Sequence, residues 1–297
     1  MNTPLKARAC EATSCLYFGQ GQGGLARLEV RTPWSRAEVY LHGAHVTHFQ
    51  KHDEPPLLFL SEASRFVAGQ PIRGGIPVIF PWFGPREGLP AHGFARLNEW
   101  VLEAVAWEAD GACRLQFRMP RLREWCAERP YAAEYTVRVG RDLQLELKGV
   151  NESPRDTFEF EECLHTYFAV ADIAHVRVSG LSGTRYLDSL ENHAERTDSA
   201  ESIAVRSEVD RLYVGTEAAV DILDSKHKRR IRVAKSSSRS TVVWNPWIAK
   251  SKRMPDFGDE EYLRMICVES GNVGPDRVVL GPGASHRLQV TLDAVPL

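Results

Sequence analysis

The sequence has no excess charge of either sign: 37 basic against 39 acidic residues leave a formal net charge of -2. That excludes a global basic field of the kind that gathers nucleic acid. No run approaches the ~18 apolar residues that a membrane-spanning helix requires. The opening segment MNTPLKARACEATSC lacks the apolar core of a signal peptide. Cysteines stand only at 10, 15, 113, 126, 163 and 267, with no CxxC pair among them. In a chain of this length they read as reduced thiols of an intracellular, cytoplasmic protein. Amphipathic helical patterns are scarce; REWCAER (123–129) and DEEYLRM (259–265) offer a turn or two each. Low-complexity linkers and repeats at solenoid periods are missing as well.

What remains is a turn-rich globular chain of alternating segments. Gly 22 and Pro 17 among 297 residues favour turns, and 43% hydrophobic against 26% charged suits a sizeable core. The segment 37–50 reads as two β segments broken at Gly43. RLQFRMP (114–120), AEYTVRVG (133–140) and LQLELKGV (143–150) alternate apolar and polar residues as half-buried strands do. Arg141-Asp142 between the last two fits a tight hairpin. Similar runs follow at 219–225, 240–246, 263–270 and 285–292. The pattern predicts an all-β fold, an antiparallel sandwich or barrel with less than about a fifth helix. A single domain over 1–297 is expected, with residues 1–24 as a peripheral N-terminal segment.

Three motifs have bland explanations. Gly19-Gln20-Gly21-Gln22-Gly23-Gly24 matches G-x-G-x-x-G, but the following LARLEV alternates like a strand and no acid lies in 39–50. A dinucleotide site needs a helix and an acidic residue there, so a turn is expected. His42, His45, His48 and His52 would alternate faces on a strand, and no Cys or Asp cluster joins them, so they predict a partly exposed strand and not a metal site. Lys226-His227-Lys228-Arg229-Arg230 reads as a solvated hairpin tip.

Two other segments break their own local rules. In LRMICVESGNV, Leu263, Met265 and Cys267 share one face while Ile266 and Val268 take the other. Apolar residues on both faces mark a covered central strand. A carboxylate such as Glu269 at the end of such a strand is costly unless it is hydrogen-bonded or functional, and burial would make it a better base. In EECLHTYFAV, His165 shares a face with Cys163 and Tyr167 in an equally apolar run. Together the two supply a base and an acid that work near neutral pH. Arg73-Gly74-Gly75 and His92-Gly93-Phe94-Ala95-Arg96 add arginines beside glycine-containing turns, where planar donors can hold a phosphate or carboxylate.

At IRGGIPVIFPWFG (72–84), HGFAR (92–96), ECLHTYF (162–168), VVWNPW (242–247) and DEEYLRMICVESGNV (259–273), the sequence resembles the hexose-6-phosphate mutarotases. These are the glucose-6-phosphate 1-epimerase branch of the galactose-mutarotase-like family. The ordered set spans the chain from about Gly43 to its C-terminal GPGASHRLQVTL. The resemblance implies an antiparallel β-supersandwich, no metal and no organic cofactor. It puts the catalytic acid on His165 and the base on Glu269, and the phosphate-binding arginines on Arg73 and Arg96. His92 matches an accessory sugar-binding histidine, and Asp210 an acid that contacts sugar hydroxyls. Ala91 stands where some relatives carry Gln, which removes one possible hydrogen bond to the ligand. The implied partner is a small-molecule phosphosugar, with no nucleic acid, no membrane and no obligate protein partner. Two other readings stay open: a mutarotase for an unphosphorylated sugar, and a non-catalytic carbohydrate-binding protein on the same fold.

Overall fold

The computed structural model describes residues 14–121 and 131–297. REWCAER (123–129), Cys10 and Cys126 lie outside the described residues. Strands make up 50% and helices 9% of the structure, and every pair of named strands is antiparallel. A four-stranded sheet runs in sequence order through Cys15–Gln20, Ala26–Arg31, Ser35–Tyr40 and His45–Lys51. A nine-stranded sheet is centred on Arg229–Ser236, Ser285–Pro296, Leu143–Asn151 and Tyr131–Val139. An eight-stranded sheet holds, in order, Val209–Tyr213, Ser240–Asn245, Met265–Asn272 and Glu162–Leu164 at its centre, and Tyr167–Ala169 also pairs with Met265–Asn272.

Alternating side chains from these three sheets meet in one apolar cluster. Val30 and Val39 come from the first, Leu145, Ile231 and Leu288 from the second, and Val243, Ile266 and Val268 from the third. Burying each such side chain contributes roughly 1.5–3 kcal/mol. The break near Gly43 separates Ser35–Tyr40 from His45–Lys51, and Gly140 N donates to Asp142 O to close the Arg141-Asp142 hairpin. The glycine run at 19–24 ends the first strand at Gln20 and turns through a 3-10 segment at Gln22–Gly24 into the strand paired with it. DEEYLRM gives one 3-10 turn, Glu261–Arg264, before the strand begins.

Two expectations need correction here. The histidines at 42 and 45 are core residues: His42 Nε2 meets Gln70 O at 2.7 Å and His45 Nε2 meets Gly74 O at 2.8 Å, both rings being buried. The chain turns at 41–44, so simple alternation does not carry from His42 to His48. The basic run does form a hairpin connection, but Arg229 is buried and donates to the carbonyls of Pro55, Pro56 and Ala169. Gly74 and Gly75 are needed by neighbouring backbone: a Cβ at 74 would lie 2.6 Å from Leu60 Cα, and one at 75 would lie 2.3 Å from Val46 O.

Burial holds the His45 pKa down to about 3, with Gly74 O as a partial counterweight. The unfolded chain therefore takes up a proton below about pH 6.5 that the folded chain refuses until about pH 3, and this site's contribution is lost as pH falls. Between pH 7 and 5 it amounts to about 2 kcal/mol. Denaturant titrations at both pH values should show His45→Gln losing less stability than wild type by that amount. Equal losses would mean that folded His45 accepts the proton.

Candidate active site

The central strands of the eight-stranded sheet have one face in the large core and the other facing a second cluster. Ile266 and Val268 point into the core, whereas Met265 and Cys267 pack with Val242, Trp244 and Tyr167 on the opposite side. Register extends that second face. Val242 pairs with Glu269, Trp244 with Cys267 and with Asp210, and Tyr167 with Cys267. Period-two alternation thus puts Cys267, Glu269, Tyr167, Trp244 and Asp210 on one surface. Glu269 stands in mid-strand and not at its end as expected; the strand runs on through Asn272, and every residue of Met265–Asn272 is buried. Gly271 permits this packing, because a Cβ there would lie 2.6 Å from Glu162 O.

His165 occupies the break between Glu162–Leu164 and Tyr167–Ala169, where its amide donates to Pro77 O. Its ring stacks on Tyr167 with centroids 4.8 Å apart and lies edge-on to Trp244 at 6.1 Å. His165 Nδ1 is 3.3 Å from Glu269 Oε1, while Cys163 Sγ donates to Glu269 Oε2 at 3.6 Å. Glu269 is 1% and His165 8% exposed, so both are buried. Burial, reinforced by the Asp210 carboxylate, drives the Glu269 pKa well above the usual range; Cys163 and Arg96 oppose that rise. Burial together with His92, Arg96 and Arg73 pushes His165 well below an ordinary histidine. This is a buried acid–base pair with opposed shifts, the pattern expected where proton transfer is the task.

Four further sequence candidates surround it. His92 lies 6.0 Å from His165, ring to ring, and its Nδ1 accepts from Gly84 N, leaving the proton of the neutral ring on Nε2. Burial, then Arg96 and Arg73, hold its pKa down to about 3, so it is a neutral donor. Arg96 is buried; its guanidinium donates to Ala91 O, but Nε has no partner. Burial and Arg73 lower its pKa to about 10. Arg73 donates to Asp256 Oδ2 at 3.1 and 3.2 Å and to the Tyr167 hydroxyl at 3.0 Å. Burial works against its charge, but Tyr167 and Asp256 more than compensate. Asp210 faces Lys250 at 3.4 Å and is partly exposed.

Sequence reasoning missed Cys163 as a partner of Glu269 and Asp256 as a partner of Arg73. The second has no local signal, since 183 positions separate the pair. Among the described residues, His165, Cys267 and Glu269 are the one group whose donor atoms, within 4.8 Å of one another, could converge on a metal. Burial keeps the Cys267 thiol protonated. The opposed shifts of Glu269 and His165 are those of an acid–base pair, and we read the group in that way.

A model of the aldose 1-epimerase family matches residues 27–293. The chain belongs to this family. It is 36% identical over 274 residues to a "Putative glucose-6-phosphate 1-epimerase" of Cenchrus ciliaris, covering 88% of this chain and 82% of that one. An Escherichia coli K12 protein of the same designation is 36% identical over 265 residues, with 86% of each chain covered. The crystal structure of a "putative mutarotase" from Salmonella typhimurium superposes with a TM-score of 0.87 at 30% identity, covering 95% and 94%. A galactose mutarotase-like protein of Clostridium acetobutylicum shares the fold at 14% identity and a TM-score of 0.76. The antiparallel β-supersandwich of galactose mutarotase-like proteins is therefore the fold of this aldose 1-epimerase family member.

Within this family member the thiol on Glu269 has a measurable consequence. Cys163→Ala removes a donor that favours the carboxylate, so the Glu269 pKa rises further. The acid limb of the pH profile of kcat/KM should move to higher pH, and Cys163→Ser, with a stronger donor, should return it. An unmoved limb in both variants would remove the thiol from the tuning of Glu269.

Proposed function

We propose that the protein interconverts the α and β anomers of a hexose 6-phosphate, with glucose 6-phosphate as the substrate that fits best. Support comes from both the chemistry and the relatives' designations. Glu269 removes the C1 hydroxyl proton while His165 protonates the ring oxygen. The C1–O5 bond breaks, leaving the aldehyde and a C5 hydroxyl. The C1–C2 bond turns; His165 then takes back the hydroxyl proton as the oxygen attacks C1, and Glu269 returns its proton to O1. Each group ends as it began, so no nucleophile is consumed. The His92 Nε2 proton and the Asp210 carboxylate are suited to hold ring hydroxyls, with Trp244 beside them.

The observation that carries the choice of a phosphosugar is the position of the arginines. In a hexose 6-phosphate, C5 bears both the ring oxygen and the arm leading to phosphorus. The acid that serves the ring oxygen must therefore neighbour the groups that read the phosphate. Arg96 and Arg73 are among the charges acting on His165, and Arg96 is a buried cation with an unpartnered Nε. Asp256 favours the second reading, an unphosphorylated sugar, because it already neutralises Arg73. Arg96 outweighs it: this buried cation has an unpartnered Nε, and a neutral sugar would leave it only the fields of Tyr167, Asp256 and Glu269. The setting that suits this substrate is the cytoplasm, where phosphosugars are made and used. A coupled anomerisation assay run on glucose 6-phosphate and glucose side by side tests the reading. Preference for the phosphorylated sugar supports it, and equal or inverted preference overturns it.

A further inference from the structure

We propose that Glu161 is a positioning residue: its carboxylate fixes the loop that sets the His92 ring beside the acid–base pair. This rests on the hexose 6-phosphate reading, in which His92 holds a ring hydroxyl, and deepens it. Glu161 lies immediately before the Glu162–Leu164 strand that leads to His165. Its own amide donates to Pro81 O at 3.0 Å. Its carboxylate accepts two further backbone protons, Oε2 from Phe83 N at 2.9 Å and Oε1 from Gly274 N at 2.7 Å. Gly274 opens the turn after Met265–Asn272, the strand that carries Glu269. One side chain therefore ties the loop at 81–84 to the segments bearing His165 and Glu269. Hydrogen bonds to a carboxylate are among the stronger ones, and two converge here.

That loop holds His92. Gly84 N donates to His92 Nδ1 at 3.3 Å, His92 N donates to Gly84 O at 2.8 Å, and the Phe83 ring meets the His92 ring edge-on with centroids 4.7 Å apart. The amide that Glu161 captures belongs to Phe83 itself, one residue from Gly84. His92 needs such holding. Its φ of 65° lies in the left-handed region, which a residue with a Cβ enters at a cost and keeps only where its surroundings impose it. With Nδ1 occupied by Gly84 N, the proton of the neutral ring stands on Nε2, and that ring lies 6.0 Å from the ring of His165. Without Glu161 the loop is free to shift and the imidazole to turn. The Nε2 proton then no longer meets the sugar in the geometry that the reaction uses. The action of Glu161 runs through His92, so a double-variant cycle is the decisive test.

The cycle measures kcat/KM for glucose 6-phosphate in wild type, Glu161→Ala, His92→Ala and the double variant. Each single variant should lose about 10- to 100-fold, the scale of a misplaced substrate contact. The double variant should be little worse than His92→Ala alone. In parallel, the nitrogen NMR signals of the His92 ring should show one tautomer, protonated at Nε2, in wild type and a mixture of both in Glu161→Ala. Glu161→Gln offers one acceptor oxygen in place of two and should fall between; it carries the same cycle and the same spectra if the alanine variant does not fold. Losses that multiply in the double variant, or ring signals that stay the same, would make Glu161 a structural brace and overturn the proposal while the anomer-exchange reading stands. Undiminished kcat/KM in His92→Ala would overturn it too, because there would be no sugar contact to position. A wild type that does not exchange the anomers of glucose 6-phosphate overturns both.

Discussion

Glu269→Gln should retain the fold and the affinity for glucose 6-phosphate while losing about two or more orders of magnitude in kcat, the usual scale of general base catalysis. The substitution keeps the shape and removes the charge. Cys163 Sγ lies 3.6 Å from Oε2 and His165 Nδ1 3.3 Å from Oε1, so an amide can occupy the same space with little repacking. The native carboxyl is already held largely uncharged by burial, so a neutral amide adds little desolvation cost. Equilibrium binding by calorimetry and single-turnover rates separate the two effects. A variant with near-wild-type turnover would remove Glu269 from the chemistry. A variant that no longer binds would make the glutamate a sugar ligand instead.

Arg96→Ala should weaken kcat/KM for glucose 6-phosphate by roughly 10- to 100-fold relative to its effect on glucose. The expectation is one charge-assisted hydrogen bond of ~1.5–3 kcal/mol to the phosphate. Arg96 is the cleaner of the two arginines to test, because removing Arg73 would also strand Asp256 and the Tyr167 hydroxyl. Measuring both sugars in wild type and variant cancels any general loss of site integrity. Equal losses on the two sugars would mean that Arg96 shapes the loop through Ala91 O and does not read phosphate.

Much of this was legible because β alternation is strict. The apolar residues on both sides of Met265–Asn272 marked a covered strand, and the same period put Cys163, His165 and Tyr167 on one side. Even so, alternation could not give the strand's end, since Ser270, Gly271 and Asn272 look like a turn. Asn272 stays in the sheet because its side chain donates to Glu162 Oε1 and Ser237 O, partners far away in sequence. Arg229 and His45 were misread for a related reason. A charged or imidazole side chain looks solvated until the carbonyls that will receive it are known, and those lie at Pro55, Pro56, Ala169 and Gly74. The ordered motifs supplied what periodicity could not: that a strand and a break between two others, distant in the chain, bring Glu269 and His165 together.

The central claim is that this site exchanges the anomers of a hexose 6-phosphate through His165 and Glu269. Proton exchange spectroscopy on glucose 6-phosphate reports it directly, through cross-peaks between the α and β anomeric signals that grow with mixing time. Wild type should accelerate this exchange above the buffer rate in proportion to enzyme concentration, and Glu269→Gln should return it to near the buffer rate. Exchange by wild type that is indistinguishable from buffer would contradict the account, as would undiminished exchange by the variant.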